Sequence, residues 1–339
     1  MSVCNDSLSI AIDNYENYIL PNAKIKAIVL GGSVSRGYAN SGCDIDILYF
    51  DDNVPHYKKR FDYINGVEIE LHYVPSSIFD LLYSYLNPII SDPIGTEPID
   101  LSVWGEKKCP HCLNSDSRVG LVLSAWRELK KLLDGTVLLD NDGWYQHIQQ
   151  KYSLHPEIQK ITMFAKNNSK NCSNIDLLIN MMKLYMVSIN SVYSKVYWTD
   201  YYLEHEMEGV KDLITNLFIQ KNLCFENWVA KTESRFNLMS DKHRSTQCEI
   251  CDGDITKCNV GRCARDFISD AKRAHENGFY VGCLLSLLRA NTYIDRLATT
   301  ERVCLPEIGE TYIDYWTLVE YHAGLMLDDF TQRLFGKVF

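Results

Sequence analysis

The chain has 339 residues, room for two domains, and 46% hydrophobic against 23% charged residues supplies a core and excludes a disordered chain. Its formal net charge of −10 argues against a nucleic-acid partner, whose backbone is gripped by basic faces, and suits a small or cationic ligand better. No run reaches the ~20 apolar residues of a membrane span, and the N-terminus lacks the basic start of a signal peptide, so the 12 cysteines are expected as thiols or metal ligands in a reducing cytoplasm.

Leu8, Ile12, Tyr15 and Ile19 recur at helical spacing, which predicts a helix over 6–20 that Pro21 ends. Three strand-like runs follow, at 26–30, 44–50 and 67–74. A glycine-rich turn and a short helix-sized segment separate the first two. A polar connection closing on Asn65-Gly66, a hairpin signal, separates the second and third. A short helix is predicted over 77–86 within a proline-punctuated stretch, 75–116. From Ser117 the pattern turns helical: 118–134 with Gly135 placed as a stop, then long helices over 175–207 and 266–298. The expected class is α+β, with a small mixed-sheet domain over 1–105 and a C-terminal α-helical bundle domain over 106–339.

The chemistry concentrates in VLGGSVSRGYANSGCDIDILYF, residues 29–50. Alternate residues of a strand share a face, so Asp44 and Asp46 point one way while Ile45, Ile47 and Tyr49 point the other. Glu68, Glu70 and His72 share a face of the run 67–74 in the same manner. Adjacent strands would gather three carboxylates whose repulsion a divalent cation relieves, and Mg²⁺ prefers such oxygen ligands together with nucleotide phosphates. Relief of that repulsion predicts that Asp44→Asn or Asp46→Asn leaves the fold intact or slightly stabilised. Upstream, Gly31 and Gly32 permit close backbone approach to a ligand, Ser33 offers a hydroxyl and an amide, and Arg36 adds positive charge. Metal-binding acids beside a phosphate-cradling turn point to phosphoryl or nucleotidyl transfer.

The set Gly31-Gly32-Ser33, Arg36-Gly37 and Asp44-Ile45-Asp46-Ile47, with a carboxylate on a later strand, resembles the polymerase-β-type nucleotidyltransferase superfamily. The layout is closest to the branch of antibiotic (aminoglycoside) adenylyltransferases and MNT-like proteins. The resemblance extends over about the first hundred residues, and Gly42-Cys43 stands where many relatives have Ser. It implies that Asp44 and Asp46 hold two Mg²⁺ ions, that Gly32 and Ser33 contact the β- and γ-phosphates, and that Glu70 is the third acid, as metal ligand or general base. Glu68 is the rival for that place, because the pairing register decides between them. The implied reaction moves an NMP, with ATP the favoured donor, to a hydroxyl of a small molecule such as an aminoglycoside-like antibiotic. A protein or tRNA acceptor of toxin–antitoxin type, or a non-catalytic nucleotide-binding regulator, are the alternatives.

Cys109-Pro-His-Cys112 and Cys248-Glu-Ile-Cys251 are C-x-x-C elements, and Cys258 and Cys263 follow the second. Four thiolates suit a structural Zn²⁺, as Cys248, Cys251, Cys258 and Cys263 or as the two C-x-x-C pairs together, while reduced thiols in loops or a redox pair are the other readings. Arg289, Tyr293 and Arg296 form a polar helical stripe that either reaches a substrate or is a solvated face. The tyrosine-rich stretch 193–203 is either an acceptor pocket or ordinary helix packing. Oligomeric state leaves no mark in the sequence.

Overall fold

A computed structural model describes residues 24–37, 44–64, 67–91, 118–153, 157–168, 174–189, 191–193, 195–217, 225–243 and 253–308. The described residues are mixed α/β and mostly helical, with a five-stranded mixed sheet. Its elements in chain order are β1 (Ile25–Leu30), the single turn α1 (Gly32–Ser35), β2 (Ile45–Asp51), β3 (Lys58–Ile64), β4 (Val67–Pro75), α2 (Ile78–Ser91), α3 (Arg118–Leu133), β5 (Thr136–Asp140) and α4 (Trp144–Lys151). There follow α5 (Ile158–Asn168), α6 (Asn174–Ser188), α7 (Thr199–His205), α8 (Glu208–Leu217), α9 (Phe225–His243), α10 (Asn259–Glu276) and α11 (Tyr280–Glu301). Packing groups the chain into two compact units, Met1–Pro93 with Ser124–Ile161, and Ile94–Leu123 with Thr162–Phe339. None of the described helices is long and apolar enough to cross a membrane.

The sheet order is β3-β4-β2-β1-β5. β2 and β4 run parallel, and the other pairs are antiparallel. Central β2 is apolar on both sides because both are covered, as near-continuous hydrophobic runs require. Ile45, Ile47 and Tyr49 join Ile28, Ile69 and Leu71 in one buried cluster. On the opposite face Phe50 meets Phe79 of α2 and Trp144 and Tyr145 of α4. Asp46 lies on that second face, two and four residues before buried Leu48 and Phe50.

Two strands differ from the sequence reading. The polar connection before Asn65-Gly66 contains β3, antiparallel to β4, whereas the turn residues themselves lie outside the described set. β3 is an edge strand with Phe61 and Tyr63 exposed, so it has no buried alternation to read. The other edge is β5, which follows Gly135 in the stretch read as helical, so the sheet extends beyond residues 1–105. A Cβ at Gly135 would stand 2.0 Å from Val29 Cγ1, and the glycine lets the chain cross β1 closely. The helix expected over 77–86 runs on through Pro88 to Ser91. The helix expected over 6–20 falls outside the described residues.

In the second unit, both expected long helices are interrupted. α6 ends at Ser188, and α7 begins only after a 3₁₀ turn at Val196–Trp198. α10 and α11 are separated at Gly278, whose φ of +71° closes α10 while the Phe279 amide donates to the Ala274 carbonyl. Asp200 then caps α11, accepting from the amides of Val281 at 3.1 Å and Gly282 at 2.7 Å. α9, α10 and α11 share a core of Phe236, Met239, Ile268, Ile294 and Leu297.

Candidate functional site

The parallel register of β2 and β4 sets Asp46 directly beside Glu70, and Leu48 beside His72. The antiparallel register of β3 sets Lys59 beside His72 and Phe61 beside Glu70. Three strands therefore bring an Asp, a Glu, a His and a Lys onto one face. His72 Nε2 lies 2.8 Å from Asp46 Oδ1 and 3.4 Å from Glu70 Oε2. Lys59 Nζ forms a close ion pair with that same Glu70 oxygen. Tyr57 OH is 2.6 Å from His72 Nδ1, so both imidazole nitrogens are held. One ligand atom from each of Asp46, Glu70 and His72 falls within 4.8 Å of the others, an arrangement able to hold a metal ion.

The electrostatics follow from burial and partners. Glu70 is 8% exposed. Burial alone would raise its pKa, but hydrogen bonds from His72 and Lys59 and the Lys59 charge prevail and hold it at about 2. Burial likewise pulls His72 down, and its hydrogen bonds to Asp46 and Glu70 outweigh that pull, so its pKa is raised. Burial, then the charges of Glu70, Glu128 and Asp46, push Tyr57 up to about 12 and keep its hydroxyl protonated. The carboxylates are therefore not a set of bare repelling charges. His72 and Lys59 compensate them, so at Asp46 a loss of partners stands against the relieved repulsion expected from the sequence.

The glycine turn abuts the same carboxylate. The Gly31 amide donates to the Asp46 carbonyl at 2.8 Å. Gly32 has φ +65°, and a Cβ there would stand 1.8 Å from Asp46 Oδ2. Only glycine meets both demands. Ser33 follows in α1, with its Oγ buried and without a hydrogen-bond partner among the described residues. Arg36 caps α1 through its amide, which donates to the Ser33 carbonyl.

Of the residues singled out in the sequence, Gly31, Gly32, Asp46 and Glu70 are thus brought together. Asp44 stands half-buried just before β2 and is not a member of the Asp46–Glu70–His72 group. Glu68 is half-buried and accepts from Tyr63 OH at 3.0 Å. Lys59, in β3, and Tyr57, immediately before it, escaped sequence reading because β3 did. The one available signal was the alternation of Lys59, Phe61 and Tyr63 ahead of a hairpin turn.

The remaining candidates lie in the helical unit or outside the described residues. Arg289 donates to Tyr293 OH and lies over the rings of Phe267 and Tyr293, 5.6 and 5.5 Å from their centroids, so it is held in helix packing. Tyr193, Tyr197, Trp198 and Tyr202 are buried, as packed helices require. Cys258 is wholly buried at the start of α10 and Cys263 is half-buried within it. Cys109, Cys112, Cys248 and Cys251 are outside the described set. In comparisons with known proteins, no family model and no curated sequence matches the chain.

Proposed function

We propose that the protein is a nucleotidyltransferase that moves an NMP, with ATP the favoured donor, to a hydroxyl of a small molecule and releases pyrophosphate. The observation that carries this reading is the register-matched pair Asp46 and Glu70 under the Gly31-Gly32-Ser33 turn. A binder has no need of a buried and a half-buried acid side by side on adjacent strands, each requiring its own counter-charge.

The residues present fit a divalent ion. Two carboxylates and an imidazole converge, Gly32 keeps the space beside Asp46 Oδ2 clear, and Ser33 Oγ is an orphaned buried hydroxyl. Asp46 and Glu70 would hold Mg²⁺, with Asp44 at the entrance to β2 as the further carboxylate that the family resemblance adds. The bound ion would supply charge neutralisation at the phosphates; as the acceptor hydroxyl oxygen bonds to the α-phosphorus, the bond to pyrophosphate breaks and the hydroxyl proton leaves to solvent. A carboxylate held at about 2 is a poor proton acceptor near neutrality, which favours Glu70 as ligand over general base. Ser33 Oγ and the backbone at Gly32 would hold the phosphates, and Arg36 would add charge there.

In this reading the sheet unit is a polymerase-β-like domain and the helical unit recognises the acceptor. The net charge of −10 favours a cationic acceptor, such as an aminoglycoside-like antibiotic. A structural Zn²⁺ on the cysteines around 248–263, alone or with Cys109 and Cys112, completes the proposal, and metal analysis of the purified protein tests it. For the activity itself, the protein is incubated with each NTP, Mg²⁺ and a panel of metabolites and antibiotics, and masses are read. An acceptor heavier by one NMP is expected, with no gain for Asp46→Asn. Full activity in that variant would sink the assignment.

A further inference from the structure

We infer that His72 is itself a metal ligand of this site, oriented by Tyr57, and that the ion takes the place Lys59 holds on Glu70, so that the site selects Mn²⁺ over Mg²⁺. The inference rests on the reading above for the presence of an ion, and it adds the ion's ligands and its competitor. Mg²⁺ favours all-oxygen surroundings, whereas an imidazole nitrogen suits first-row transition ions that also accept carboxylates. His72 Nε2 stands with Asp46 and Glu70 oxygens within one ion's reach. Its other nitrogen is engaged by Tyr57 OH at 2.6 Å, the outer partner that ligating histidines generally need to fix ring and tautomer.

Lys59 supplies the complementary half. Its ammonium sits on Glu70 Oε2, the oxygen that also faces His72. Two cations on one carboxylate oxygen repel strongly in a poorly solvated site, so an ion bound there releases Lys59. The freed ammonium, on a side chain 32% exposed, is then available to an anionic ligand such as a nucleotide phosphate. An independent observation also points to a ligand. Ser33 Oγ, next to the glycine that abuts Asp46, is buried and makes no hydrogen bond among the described residues. Buried hydroxyls are rarely left so unless something absent completes them.

The test uses the full chain, stripped with chelator and titrated with MnCl₂ or MgCl₂ without nucleotide. Calorimetry reads affinity, and electron spin-echo modulation reads nitrogen bound to Mn²⁺. The native protein is expected to bind Mn²⁺ at least about tenfold more tightly than Mg²⁺ and to show an imidazole nitrogen. His72→Gln should lose that nitrogen and about 10–100-fold of Mn²⁺ affinity, with little change for Mg²⁺, and Tyr57→Phe about tenfold. Lys59→Gln should tighten both ions several-fold. Absence of Mn²⁺ binding or of the nitrogen signal in the native protein overturns the inference, as does native Mn²⁺ affinity in His72→Gln. Unchanged affinity in Lys59→Gln overturns the exchange. Nitrogen-coupled Mn²⁺ with no nucleotide transfer would remove the proposed function alone; transfer without the nitrogen signal would remove this inference alone.

Discussion

Asp46 occupies a strand whose later residues are core, and it does so because His72 donates to it while the glycine turn leaves room for its second oxygen. Asp46→Asn should therefore cost the metal-free protein about 1–3 kcal/mol, the usual penalty for breaking a charge-assisted, half-buried pair, as measured by urea unfolding. A more stable variant would revive the repulsion picture. Two of the left-handed glycines, Gly32 and Gly37, offer a paired test. Gly37→Ala, at φ +76° with open space around it, should cost only the backbone term of about 1–2 kcal/mol. Gly32→Ala should cost distinctly more and displace Asp46, and equal losses in the two variants would show that the close contact is immaterial. Asp270 gives a pH signature. Burial raises its pKa to about 6 against the pull of Lys195 and Arg273, from an ordinary 3.8. Between those values the folded state holds a proton that the unfolded chain has lost, so stability falls as pH rises through that window. The loss is about 2–3 kcal/mol at most, and Asp270→Asn should flatten that part of the stability profile.

At the level of elements, α11 is fixed by what meets its first turn. A Cβ at Gly282 would stand 2.3 Å from the Tyr197 carbonyl oxygen, a backbone atom that cannot swing aside. Gly282→Ala should thus destabilise by about 1–3 kcal/mol, the range for overpacking, despite alanine's better helix propensity. Asp200→Ala should cost about 1–2 kcal/mol by leaving two amides of that turn without their acceptor, with Asp200→Asn recovering part of it. Thermal melts of the variants check both. If Gly282→Ala instead raised the melting temperature, propensity would outweigh the contact with Tyr197.

For the molecule as a whole, the informative feature is that the sheet unit is assembled from separated stretches. β5 pairs with β1, and Trp144 and Tyr145 of α4 pack on Phe50. A fragment ending at residue 105 loses all three, exposing the β1 edge and an aromatic cluster. It should show no cooperative melt by circular dichroism, and a sharp transition in that fragment would mean β5 and α4 are dispensable to the sheet.

Much of this was written locally. The alternation in 44–50 and 67–74 determined two central strands, the glycine pair determined a turn with close backbone approach, and the facing of Asp46, Glu70 and His72 followed from a period of two. Edge strands β3 and β5 were hard to read, because a strand largely exposed on both faces need not alternate, and the breaks in the long helices depended on single residues such as Gly278. Only the tertiary structure decided the pairing. Register is a long-range property, and a shift of two residues would have put Glu68 beside Asp46 with the same faces buried. It also decided what neutralises the acids, since Lys59 reaches Glu70 only through a strand pairing that no local pattern encodes.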